Sequence, residues 1–190
     1  PELQWLGIDA ACEHTARGAS VWEWASTPTD AEPDVVLACA GDTPTLDTIA
    51  AAWWLRRLAP EVRVRVVNIV DLMALYAPSI HPHGMPDDRF VELFTRDRPV
   101  IFAFHGYQFA VHEIVHRRPH PARFHVRGFT EQGTTTTPFD MVVLNQMSRF
   151  HLAALAIEFS GLPEPRIREL GERCKAEVDA AVRYTREHLE

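Results

Sequence analysis

The sequence predicts an α/β domain of three layers, α/β/α, built on a mostly parallel, mixed sheet. Three observations carry that prediction. Short apolar runs rich in β-branched or aromatic residues recur at Asp34–Ala40, Val62–Val70, Pro99–Phe104 and Phe124–Phe129. Each is followed by turn residues and then by a helix-period pattern. Parallel strands cannot be joined by a hairpin, so a regular strand–helix alternation is what a parallel sheet requires.

Taken in order, Trp5–Arg17 carries an amphipathic helical pattern that ends at Gly18, and Val21–Trp24 reads as a short extended or helical piece. Pro28–Pro33 is a polar, turn-rich loop. Residues 1–33 therefore read as a linker segment packed on a domain spanning 34–188, and Leu189–Glu190 as a cloning scar. In Asp34–Ala40 the apolar residues run without interruption, as in a strand buried on both faces. Gly41–Asp42–Thr43–Pro44 follows, with Thr43 expected as N-cap and Pro44 at the first position of a helix running to Leu58. Arg56, Arg57 and Pro60 mark its end.

Val62–Val67 alternates with Arg63 and Arg65 before turning wholly apolar, which suggests a second strand exposed in its first half. Asp71 is placed to cap a short helix through Leu75; a loop at Pro78–Gly84 and a helix over Asp87–Phe94 come next. The third strand, Pro99–Phe104, closes at His105–Gly106 and leads into a helix that Pro119 and Pro121 break. After the fourth strand stand Gly133 and four consecutive threonines. Thr137 as N-cap, Pro138 at the first helical position and Asp140 at the third then predict one helix over Pro138–Ser160. Gly161 and Pro163 stop it, and a last helix occupies Pro165–His188.

Composition bounds the function. A 190-residue chain with 46% hydrophobic residues supports one buried core. A net charge of −7 leaves no basic surplus for nucleic acid or an anionic membrane surface. Cys12, Cys39 and Cys174 are odd in number and far apart, which argues against a disulfide framework and for a reducing, cytoplasmic setting; Cys39, within a strand, reads as an inert core residue.

In open α/β sheets, ligands sit beyond the carboxyl ends of the strands. Asp42, Thr43, His105, His125, Arg127, Thr134, Thr135, Thr136 and Thr137 are the candidates for that rim. Three readings stand side by side: the hydroxyls cap helices; the rim seats a phosphate or nucleotide; or it is a seam against other domains or a partner subunit. His112–Glu113–Ile114–Val115–His116 spells HExxH, which on a helix puts two histidines on one face for zinc. Pro119 and Ala122 occupy the offsets where the extended motif needs Gly and His, so a zinc hydrolase is a remote reading. His81–Pro82–His83 is a weaker metal motif, and no ligand set is assigned.

The stretch HVRGFTEQGTTTTPFDMVVLNQMSRFHL at 125–152 resembles the C-terminal domain of phosphoketolases, thiamine-diphosphate enzymes that cleave xylulose 5-phosphate or fructose 6-phosphate with phosphate to give acetyl phosphate. PDVVLACAGDTPTLDTIAA (33–51), VRVVNIVDLM (64–73) and HPHGMPDDRFVELFTRDRPVIFAFHGY (81–107) are similar to the same family in the same order. The resemblance implies a transketolase-like C-terminal fold in a lyase of carbohydrate metabolism. It further implies thiamine diphosphate and Mg²⁺ held by upstream domains, no catalytic residue in this chain, a homo-oligomeric parent, and an architectural role as an excised domain inactive by itself. A phosphate- or nucleotide-sensing module is the alternative.

Overall fold

The computed structural model describes residues 3–130, 133 and 137–188. Five strands form one sheet in the order β1-β3-β2-β4-β5: Ala19–Val21 (β1), Val35–Ala40 (β2), Val64–Ile69 (β3), Val100–Phe104 (β4) and Phe124–Gly128 (β5). β2, β3, β4 and β5 run parallel, with Val36 opposite Val100 and Val35 opposite Val64, while β1 joins β3 antiparallel with Ser20 opposite Asn68. The sheet is therefore mixed through a strand from the segment expected as a linker. Three residues carry too weak an alternation to read as a strand; pairing with β3 supplies what propensity does not.

Every residue of β2 is buried, so its side chains feed both layers. Val35 and Leu37 join Val64, Val66 and Ile101 beneath helices α2 (Asp42–Leu58), α6 (Arg149–Glu158) and α7 (Glu164–His188). Val36 and Ala38 join Val67, Phe102 and Val126 beneath the eight-residue helices α3 (Asp87–Phe94) and α4 (Gln108–Val115). α1 (Ile8–Arg17) ends on Gly18 in the left-handed conformation, φ 73°, a C-cap that glycine adopts without steric cost.

Besides α1, which starts at Ile8 and not at Trp5, and α7, which starts at Glu164, two helix boundaries differ from the sequence reading in ways that bear on the site. α2 starts at Asp42 with Gly41 as N-cap, not at Pro44 behind a Thr43 cap; the Thr43 amide is instead taken by Asp42 Oδ1 at 2.7 Å. The helix expected over Pro138–Ser160 is two, α5 (Pro138–Leu144) and α6, because the chain leaves helical geometry at Gln146, φ 53°, and restarts behind a Ser148 cap. Asn145 holds the break from both sides: its Nδ2 donates to Met141 O at 2.8 Å and its Oδ1 accepts from Thr130 N at 2.8 Å. The break drives Met147 into the core at 1% exposure, which a continuous helix would not do.

On the α3/α4 face, Arg118 is the polar hub. Buried to 3% exposure, it donates Nε to Leu75 O at 2.8 Å, Nη2 to Tyr76 O and Met85 O, and Nη1 to Asp87 Oδ1 at 2.6 Å, with its guanidinium over the Phe90 ring. One side chain thus fixes the loop before α3 onto the end of α4.

Candidate functional site at the carboxyl rim

Strand order reverses between β2 and β4, since the chain steps from β2 to β3 on one side and from β4 to β5 on the other. At such a switch point the connections diverge and leave a crevice. Here it is narrow. Gly41 ends β2 at φ 106°, and a Cβ there would stand 2.4 Å from His105 Cβ at the end of β4. Gly128 ends β5 where a Cβ would stand 2.3 Å from Gly106 O. The absence of side chains at these two positions lets three loops touch.

Asp42 and His105, distant in sequence, meet across this point with Oδ1 and Nδ1 3.0 Å apart. Phe129 packs edge-on to the His105 ring. The Thr43 amide, with His105 as a lesser contributor, holds the Asp42 carboxyl below the usual carboxylate range. A negative side chain therefore already occupies the start of α2, where the helix dipole favours one. α5 begins the same way: Thr137 Oγ1 accepts from Asp140 N at 3.1 Å and donates to Asp140 Oδ2 at 2.9 Å. Thr134, Thr135 and Thr136 lie outside the described residues.

Beside the switch point a 660 Å³ groove opens over the ends of β2 and β3, lined by Leu3, Trp5, Asp42, Leu46 and Val70 among others. Its floor is a buried polar chain. Asn68 Nδ2 donates to Thr45 Oγ1 at 3.0 Å, which turns Asn68 Oδ1 toward His14 Nε2 at 2.8 Å; His14 Nδ1 then accepts from Ser20 Oγ at 2.7 Å. This chain ties α1 and β1 to the rim. Sequence reading missed His14 and Ser20, because a helical histidine next to an apolar run carries no sign of a partner 54 residues away. Cys39, beneath Asn68, is fully buried, and burial pushes its thiol up, away from the thiolate.

His125 is not brought to the rim, whereas Arg127, one residue before Gly128, stands near the carboxyl end of β5 opposite Ala103. His125 is opposite Ile101, toward the amino end of β5, and its ring stacks on Phe159 with centroids 3.6 Å apart. Arg127 lies close enough to His125 and to His151 on α6 for its charge to act on both. Burial first, and Arg127 second, lower the pKa of both histidines. The folded state consequently binds protons less readily than the unfolded chain, so the stability these groups contribute is complete above the ordinary histidine value of about 6.5 and is lost as pH falls through their depressed folded values. Urea midpoints are expected to fall between pH 7 and pH 5, and His125→Phe with His151→Phe should flatten that slope; an unchanged slope in the double variant would refute the assignment.

The HExxH residues lie on α4, but the helix ends at Val115, His116 Nδ1 is spent on Glu113 O at 2.6 Å, and His116 Nε2 accepts from Arg117 at 3.2 Å. His83 Nδ1 pairs with Asp71 Oδ2 at 2.7 Å, away from α4's histidines in the sequence and in its bonding. Among the described residues, no three His, Cys, Asp or Glu side chains are grouped to hold a metal ion. No helix among them is long and apolar enough to cross a membrane.

Comparison with known proteins places this geometry in context. The XFP C-terminal domain family model matches residues 1–190. The chain is 56% identical over 193 residues to a probable phosphoketolase of Mycobacterium avium (strain 104), covering all of this chain and 24% of that protein. It is 50% identical over 190 residues to a probable phosphoketolase of Brucella abortus (strain 2308), again with 100% and 24% covered. The chain thus spans about a quarter of the length of these curated relatives. The transketolase of Pichia stipitis solved with sedoheptulose 7-phosphate shares the fold, with a TM-score of 0.55 and 14% identity over 84% of this chain and 20% of that one.

Proposed function

This chain belongs to the XFP C-terminal domain family, and from that membership we propose that it is the architectural domain of a phosphoketolase, its rim a seam against the preceding domains. The observation that carries this reading is the rim's own chemistry. Both helix starts that would seat a phosphate already hold a carboxylate of the chain, Asp42 and Asp140, while Leu46, Val70 and Tyr107 stand 41–52% exposed around them. Apolar side chains left in water beside satisfied polar groups suit a packed interface better than an anion site.

In this reading the parent is a cytoplasmic homo-oligomer that cleaves xylulose 5-phosphate or fructose 6-phosphate with phosphate to acetyl phosphate. Thiamine diphosphate and Mg²⁺ would belong to its upstream domains, where the cofactor supplies carbanion chemistry. The residues of the rim do not fit that group: a diphosphate at the start of α2 would face the Asp42 carboxylate, and among the described residues no three His, Cys, Asp or Glu side chains are grouped to hold its Mg²⁺. What this chain does is hold position and exclude water.

The test has two arms. Incubated with fructose 6-phosphate, phosphate, thiamine diphosphate and Mg²⁺, the 190-residue chain is expected to form no acetyl phosphate; appreciable product would overturn the architectural role. In the full-length protein, Leu46→Glu with Val70→Glu should cut activity, while the same pair leaves the melting of the isolated domain nearly unchanged because both side chains are exposed there. Full activity in that double variant would show that the rim is not a seam.

A further inference from the structure

Sharing Thr43 with the rim groove, a second cavity of 380 Å³ opens where α2, α5, α6 and α7 meet. That volume falls within the range of small-ligand sites, about 300–1,000 Å³. Phe139, Val142, Val143, Phe150, Val178 and Ala181 form apolar walls from three helices. The polar residues of the lining are Thr43, Ser148 and one ion pair. Asp47, at 7% exposure, accepts from both the backbone N–H and Nε of Arg149 at 3.1 Å. The Arg149 side chain is 44% exposed, and among the described residues its Nη groups have no partner within hydrogen-bonding distance.

We infer that this crevice binds a small monocarboxylate with an apolar body, its head on the Arg149 guanidinium and its tail between α5 and α7. The sign of the head follows from burial: the carboxylate of the pair is enclosed and doubly bonded, so the charge presented to a ligand is the guanidinium's. Free Nη groups meet a carboxylate in a two-point geometry that a neutral amide does not reproduce. The size of the body follows from volume, since 380 Å³ holds roughly a dozen non-hydrogen atoms at ~30 Å³ each. Polyhydroxylated sugar phosphates and dicarboxylates are disfavoured, because beyond Thr43 and Ser148 their remaining polar groups would lie unbonded against valine and phenylalanine.

Calorimetric titration of the 190-residue chain with octanoate tests this. Saturable binding with Kd below about 1 mM is expected, acetate should give no saturable heat, and octanamide should bind at least about tenfold more weakly. Arg149→Ala should weaken octanoate by a similar factor. Because that change also strips Asp47 of its side-chain partner, leaving only the backbone N–H of residue 149, Ala181→Phe serves as the second variant: it fills the crevice from α7, and should abolish binding while the melting temperature holds. Absence of saturable heat with octanoate, equal affinity for octanamide, or undiminished binding in a folded Ala181→Phe variant would each overturn the assignment.

Discussion

Replacing Arg118 by alanine is expected to destabilise the fold by about 2–6 kcal/mol, at about 1–3 kcal/mol for each of two buried carbonyls left without a donor. The cost comes from what is left behind. The carbonyls of Leu75, Tyr76 and Met85 converge on the Arg118 guanidinium, and with it gone the buried carbonyls of Leu75 and Met85 lose their side-chain donor. Asp87 loses its partner at the first turn of α3, and the Phe90 ring loses the cation above it. Arg118→Lys should recover only part of the loss, because an ammonium cannot fork to several carbonyls and a carboxylate at once. Urea denaturation with far-ultraviolet circular dichroism measures this directly. A loss under 1 kcal/mol for Arg118→Ala would mean that the loop between the 3-10 turn at Leu72–Leu75 and α3 finds other donors.

Gly41→Ala is expected to lower stability by about 2–6 kcal/mol through two separable terms. With φ 106° and ψ 164°, Gly41 occupies backbone space that side chains enter only under strain of about 1–3 kcal/mol. The added methyl would also overlap His105 Cβ at 2.4 Å, an overpacking cost of about 1–3 kcal/mol. Only the second term involves His105. A double-mutant cycle with His105→Gly should therefore return a coupling of about 1–3 kcal/mol and leave the backbone strain in place. Zero coupling would show that the ends of β2 and β4 move apart freely, and with them the Asp42–His105 pair.

Which parts of this structure are legible in the sequence depends on the range of the force that makes them. β2 is visible at once, because a strand buried on both faces must be apolar at every position, and Val35–Ala40 is. α3 is visible to the residue, and so is the Asp71 cap, which accepts from Met73 N at 2.9 Å. These are local chemistries. The break between α5 and α6 is not local: no Gly or Pro marks residues 145–148, and it is Asn145 bonding to Thr130 in another element that makes the interruption favourable. β1 is hidden for the same reason, as its strand character exists only against β3. At the rim, topology brings Asp42 to His105, which the rule about carboxyl ends anticipates. His125 follows a different rule. Its position in β5 is early, so register carries it toward the far end of the sheet and onto Phe159.

The contact between Asp47 and Arg149 spans 102 residues. During synthesis the sheet face under α2 therefore remains half roofed until α6 and α7 have left the ribosome, with Leu37, Val66 and Ile101 awaiting Leu152, Ala156 and Leu170. Closing so long a loop is slow, and an apolar sheet face waiting in solution is what chaperones bind and aggregates recruit. The two short helices on the opposite face complete their contacts earlier, since the residues of β4 and β5 that they cover lie close to them in the chain. Maturation of this domain is thus staged by its own connectivity: one side of the sheet is sealed as the strands emerge, and the other only when α6 and α7 arrive.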